Sequence, residues 1–334
     1  MALRLGPDER LTRWDSFAEA AIIAAMLPAA SPAENQRSPV KLAPGEPLIR
    51  FNNIRLSSEG QEVLRGVSLE VQPGETKILL GETGTGKTVL MKMAAGLIHP
   101  DEGNVLVMGQ DVTAMSEKDL LQFRRQMGFV FQEGALFDSM DVADNVSFRL
   151  REENTEETEI YQRVVESLKF VEMEHAIDRF PAELSGGMRR RVSIARALID
   201  KPPIVFYDSP TAGLDPVTSQ TIINLILRGR DLQDVTSMLA THRVQDAFGL
   251  ANYSYDKATG KVVHSGTMEM NADGTRAIPA KPKGAAGAAD AQGRKDRPTN
   301  VVVLHEGLIY FEGDMDDLLK TDDPYLKKFL ASAE

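Results

Sequence analysis

Apolar positions change their period several times along the chain. Trp14, Phe17, Ala21, Ala24 and Ala25 recur at helical spacing, widened by Ile22 and Met26, and Pro28 with the following SPAENQRSP ends the run. The pattern predicts a short amphipathic helix within an N-terminal extension, residues 1–47. Its apolar stripe is suited to a patch on the main domain, a dimer partner or a membrane subunit; disorder is the remaining reading. From Leu48 the period shortens to two. FNNIRL (Phe51 to Leu56) and VLRGVSLEV (Val63 to Val71) read as half-buried strands around the turn Ser58-Glu59-Gly60. KILL (Lys77 to Leu80), GNVLVMG (Gly103 to Gly109), MGFVFQ (Met127 to Gln132) and IVFY (Ile204 to Tyr207) are further strand candidates, the apolar runs suiting strands covered on both faces.

The stretch from Arg151 to Val171 starts polar and then predicts a helix with Tyr161, Val164, Val165 and Leu168 on one face. NYSY (Asn252 to Tyr255) reads as a strand, and VVVLHEGLIYFEG (Val301 to Gly313) as a later strand and hairpin. Between them, residues 256–299 form an insertion rich in Gly, Ala and Pro. GKVVHSG within it suits one extra strand, while the rest has too little apolar surface to offset its ordering entropy. A closing helix or two carries Leu318, Leu319, Leu326, Phe329 and Leu330.

Composition narrows the classes. The 334 residues exceed one common domain size, and 42% hydrophobic residues supply a substantial core. A net charge of -11 argues against non-specific attraction to nucleic acid or an anionic membrane. The chain has no Cys, which excludes disulfides, thiolate catalysis and Cys-ligated metals. The run Ala20 to Ala30 is too short to span a bilayer and lacks a basic region directly before it, so a cytoplasmic protein without its own span is expected. His99, His175, His264 and His305 show no metal-binding spacing.

GETGTGKT, comprising Gly81, Glu82, Thr83, Gly84, Thr85, Gly86, Lys87 and Thr88, is a complete phosphate-binding loop between a predicted strand and the apolar helix VLMKMAAGL. Loop amides point at phosphate oxygens, Lys87 bridges the terminal phosphates, and Thr88 offers its hydroxyl to Mg2+. Asp208, ending the strand IVFYD, is placed to hold the same ion. Met91 and Met93 are helix core candidates. The run Arg189, Arg190 and Arg191 reads as a solvated helix start beside phosphate.

With four more motifs in order, the sequence resembles the ATPase subunit of an ABC transporter. LSGGM (Leu184 to Met188) matches the family's signature, Gln132 in VFQEGALF the Q-loop, SPTAGLDP the D-loop, and His242 in ATH the switch histidine. The resemblance covers roughly Leu48 to Leu330 apart from the insertion. It implies an α/β fold: an ABC-type P-loop nucleotide-binding domain over residues 48–330, with a RecA-like core, an antiparallel β subdomain and an α-helical subdomain. It further implies ATP and Mg2+ as cofactors, with the metal near Thr88, Gln132 and Asp208. Ser185, Gly186 and Gly187 would approach the γ-phosphate bound to a second ABC ATPase subunit, identical or related. Both glycines are expected to permit close backbone approach to phosphate.

Three positions depart from the family. Ser209 stands where a Glu usually polarises the attacking water; Leu56 lies near the usual adenine-stacking aromatic; Arg243 follows His242 where Asp is common. A serine is a poor general base, so slow hydrolysis is expected. Gln132, Asp208, Ser209 and His242 are the candidate catalytic residues. The segment Gln132 to Glu153 resembles the subgroup serving lipid-trafficking permeases associated with MCE-domain proteins, which implies a membrane permease of a lipid transport complex, an MCE-domain partner and a peripheral place on the cytoplasmic face of the inner membrane. Phe137, Met140 and Val142 are candidates for a permease groove or for plain core. An ATP-responsive clamp, a degenerate partner in an ABC heterodimer, and a soluble ABC protein of translation or repair are the alternatives. Against the last, which would usually require two linked cassettes or a long coiled coil, stand the single cassette and the segment Gln132 to Glu153.

Overall fold

A computed structural model describes residues 42–43, 45–265, 269–270, 276–277 and 298–332. The helix expected around Trp14, and most of the insertion, lie outside them. The strands are β1 (Ile49–Ser58), β2 (Gln61–Val71), β3 (Thr76–Leu80), β4 (Glu102–Val107), β5 (Gln110–Asp111), β6 (Met127–Val130), β7 (Ile204–Asp208), β8 (Thr236–Thr241), β9 (Tyr253–Asp256), β10 (Lys261–His264), β11 (Glu269–Met270), β12 (Arg276–Ala277), β13 (Thr299–His305) and β14 (Leu308–Gly313). An antiparallel sheet runs β2-β1-β4-β5. The main sheet runs β14-β13-β3-β8-β7-β6, parallel throughout except for β14.

The apolar runs KILL and IVFY become central strands of the main sheet, and β3, β7 and β8 are buried along their whole length. Their alternating side chains serve two cores. Ile78, Leu80, Val205, Tyr207 and Leu239 join a core shared with helices, whereas Leu79, Phe206, Met238 and Ala240 join one shared with the antiparallel sheet. The helix Lys87–Ala94 inserts Leu90, Met91 and Met93 into the second core, as read for both methionines. The phosphate loop therefore hangs between a strand and a helix that are both immobilised by packing.

The first core is closed by the helices Val142–Glu152, Glu157–Phe170, Gly186–Leu198, Pro216–Gln233 and Val244–Asn252. The expected face of the second of these holds at Val164 and Leu168 but not at Tyr161 and Val165. Ile160, Val164 and Leu168 are buried at i, i+4 and i+8, whereas Tyr161 is 66% exposed and Val165 half-buried. Leu318, Leu326 and Phe329 pack as expected, but Leu319 is exposed. GKVVHSG does supply a strand, β10, which pairs with β9 in a separate hairpin. The chain re-enters the main sheet at β13, beside β3, where Thr76 N–H donates to Pro298 O at 3.0 Å.

Candidate functional site

The loop between β3 and the helix Lys87–Ala94 is squeezed from two sides. A Cβ on Gly81 (φ 150°) would lie 2.5 Å from Leu304 O, and one on Gly86 (φ 96°) 2.6 Å from Leu64 Cδ2. Both positions exclude a side chain, and Gly86 caps the helix without a side-chain bond to its first amides. Those amides and the positive end of the helix dipole suit an anion. Lys87 Nζ donates to Gly81 O at 2.8 Å and Glu82 O at 2.7 Å. Burial lowers its pKa from the ordinary 10.5 to about 8, against the opposing pull of Asp208 and then Glu82. A buried ammonium whose charge is costly suits a polyphosphate, which would restore that charge.

Beside Lys87, Thr88 Oγ1 donates to Asp208 Oδ1 at 2.9 Å. Burial raises the Asp208 pKa; the Thr88 bond, Lys92, Lys87 and a hydrogen bond with Ser209 oppose the shift. A hydroxyl and one carboxylate fit magnesium completed by phosphate oxygens and water rather than an all-protein cage. Among the described residues no group of three or more His, Cys, Asp or Glu could hold a metal ion.

The other candidates follow from strand register. Leu80 pairs with Thr241, Asp208 with Ala240 and Val130 with Tyr207, so the ends of β3, β8, β7 and β6 lie side by side. Ser209 follows β7, His242 follows β8, and Gln132 lies two residues past β6. Expected as the end of that strand, Gln132 is instead an exposed turn residue. His242 is also exposed. Ser209 adopts φ 45°, and its N–H donates to Ala240 O at 2.8 Å. The sheet thus brings Lys87, Thr88, Asp208, Ser209, Gln132 and His242 to one edge.

Ser185 belongs to the helical layer, where it caps the helix Gly186–Leu198 and its Oγ accepts from Met188 N–H at 3.3 Å. Gly186 is exposed, but Gly187 is buried, and a Cβ there would lie 2.4 Å from Thr218 Cγ2. Close packing against the helix Pro216–Gln233 is therefore a sufficient reason for Gly187. The arginine run is likewise not solvated throughout: Arg190 is 5% exposed, and its guanidinium donates to Phe131 O at 2.6 Å and Ala212 O at 3.4 Å. Arg189 and Arg191 bond carbonyls of Leu184 and Glu172. A guanidinium can satisfy several carbonyls at once, which outweighs its preference for water.

Leu56, near the position of the family's adenine-stacking aromatic, is 4% exposed in the core between the sheets, so packing occupies its side chain. Val142 is core; Phe137 and Met140 are half-buried, and Phe137 lies 4.9 Å from the ring of Phe148. Asp246 was missed by motif reading. It is buried and accepts from the hydroxyls of Thr211 and Thr241, next to the two candidate loops. The available signal was a lone acid in the apolar helix VQDAFGL, four residues after His242.

Comparison with known proteins finds relatives in sequence and in fold. A family profile described as ABC transporter matches residues 64–212. The intermembrane phospholipid transport system ATP-binding protein MlaF of Haemophilus influenzae is 35% identical over 224 residues, covering 67% of this chain and 85% of its own length. A probable ribonucleotide transport ATP-binding protein, mkl, of Mycobacterium leprae is 39% identical over 200 residues, covering 60% of this chain and 58% of its own. Among solved structures, a dimeric post-hydrolysis state of the ATP-binding cassette MJ0796 bound to ADP and Pi superposes with a TM-score of 0.62. It covers 80% of this chain and 98% of that one at 24% identity, a likeness of fold.

Proposed function

The chain belongs to the ABC transporter family of ATP-binding proteins, and from that premise we propose that it binds and hydrolyses ATP to drive a phospholipid-transporting permease. The contact that carries the nucleotide reading is Thr88 to Asp208 beneath the loop of Lys87. The cargo reading rests on the likeness to MlaF, which spans 85% of that protein, against 58% for the relative named for ribonucleotide transport.

In this reading the amides of Gly81 to Thr88 and the Lys87 ammonium hold the β- and γ-phosphates. Thr88 and Asp208, with Gln132, would hold magnesium, which would neutralise phosphate charge. Ser185, Gly186 and Gly187 of a second subunit, identical or related, would close on the γ-phosphate. Ser209 and His242 orient the attacking water. Serine accepts a proton poorly, so His242 and backbone groups carry more of the positioning, and turnover is slow. The same substitution favours a second reading, an ATP-responsive clamp or a degenerate partner in a heterodimer. Phe137 and Met140 contribute apolar surface to the permease contact. The assembly sits on the cytoplasmic face of the inner membrane, with an MCE-domain protein as a further partner; among the described residues no helix is long and apolar enough to cross a membrane.

The test is purification of the intact complex from its natural host, with subunit and lipid identification and ATP-driven phospholipid transfer between vesicles. Co-purified permease and transfer abolished by Lys87→Ala would support the motor. ATP-dependent dimers with negligible phosphate release in the presence of permease would support the clamp. Ser185→Arg should prevent the dimer while sparing ATP binding by the monomer; an ATP-dependent dimer of this variant in light scattering would refute the shared site.

A further inference from the structure

We infer that Asp246, braced by Arg243, is a positioning residue that locks the loop carrying Ser209 to the turn carrying His242. The inference rests on the ATP-hydrolysing reading of that edge, but the observations behind it are independent of nucleotide. Asp246 lies four residues after His242, in the first turn of the helix Val244–Asn252, and is buried at 2% exposure. One oxygen, Oδ2, accepts from Thr211 Oγ1 and, at 2.9 Å, from Thr241 Oγ1. Thr211 is two residues after Ser209, and Thr241 immediately precedes His242. Both threonines are buried, so each hydroxyl needs its partner inside the protein.

Arg243 closes the ring from the outside. Its Nε lies 3.9 Å from the other carboxylate oxygen of Asp246, and its Nη1 donates to Thr211 O at 3.2 Å and Ser219 Oγ at 2.8 Å. The Arg243 N–H donates to Thr241 Oγ1 at 3.0 Å. The arginine neutralises the hub and ties it to the helix Pro216–Gln233. Together with the bond from Ser209 N–H to Ala240 O, these contacts make the two loops one rigid unit.

Such a unit acts on catalysis only through geometry. A displacement of about 1 Å in reacting groups can cost on the order of 10²-fold in rate. With a weak base at position 209, placement of His242 relative to Ser209 becomes more important.

The test uses the full chain in four forms: wild type, Thr211→Val, Thr211→Ser and Asp246→Asn. Without nucleotide, hydrogen exchange is followed in the segments 209–215 and 241–244, with thermal unfolding as a control. Thr211→Val keeps shape but loses the hydroxyl, so exchange should rise roughly 10-fold in both segments, including the one not substituted. Thr211→Ser should behave as wild type. Single-turnover ATP hydrolysis should then fall at least ~10-fold in Thr211→Val and Asp246→Asn, with ATP affinity within about threefold of wild type. Faster exchange confined to the substituted segment, or unchanged hydrolysis despite faster exchange in both, would overturn the inference. If Asp246→Asn does not fold, the Val and Ser pair decides alone. A wild type that binds no MgATP would overturn the nucleotide reading instead, and the exchange comparison would still decide the lock.

Discussion

Thr88 and Asp208 are 120 positions apart in sequence and joined by a 2.9 Å hydrogen bond. One lies in the first turn of the helix after β3, and the other closes β7, two strands away in the main sheet. Asp208→Asn keeps the shape and an acceptor for Thr88 but removes the charge that would attract magnesium. The advantage of MgATP over metal-free ATP in calorimetric affinity should shrink at least ~10-fold, in line with loss of a hard-cation carboxylate ligand. An unchanged advantage would remove Asp208 from the metal site.

Lys87 makes binding pH-dependent. Its pKa of about 8 in the folded chain lies below the ordinary 10.5, so the unfolded chain binds more protons between those values. Stability should therefore rise with pH across that window, the cost of burying the charge being complete below pH 8. ATP restores the charge, so at pH 8 binding should take up roughly half a proton, falling towards zero near pH 6. The buffer dependence of the calorimetric enthalpy measures this uptake. Lys87→Met should abolish it, together with most of the affinity.

Gly187 separates packing from phosphate approach. In Gly187→Ala the new methyl would meet Thr218 Cγ2, and overpacking of this kind costs about 1–3 kcal/mol. Thr218→Ser removes that carbon. In a urea-denaturation cycle the double variant should recover at least half of the loss, a non-additivity expected of touching residues. Additive losses would show that the crowding is not with Thr218.

Ser209→Glu tests the missing base. The residue already adopts φ 45°, and Glu carries no branching at Cβ to add to that cost. ATP hydrolysis, measured with the cognate permease and any second cassette, should rise at least ~10-fold. A fast native single-turnover rate, unaffected by Ser209→Glu and abolished by His242→Ala, would instead point to a histidine-centred route.

The sequence by itself determined the loop Gly81 to Thr88, the buried strands and the order of the nucleotide-site motifs. These are local signals: a glycine turn, an apolar run and a helix start depend on neighbours within a few residues. Tertiary structure decided what depends on remote neighbours. Arg190 reads as a surface cation until its partners prove to be the carbonyls of Phe131 and Ala212. Leu56 faces the core between two sheets, and no local pattern specifies what covers it. Tyr161 and Ile160 both fit a helical stripe, and only the layer beneath selected Ile160. Asp246 has no motif because its partners, Thr211 and Thr241, meet it only once β7 and β8 are paired. Periodicity records which residues avoid water; it does not record which surface or polar atom they meet.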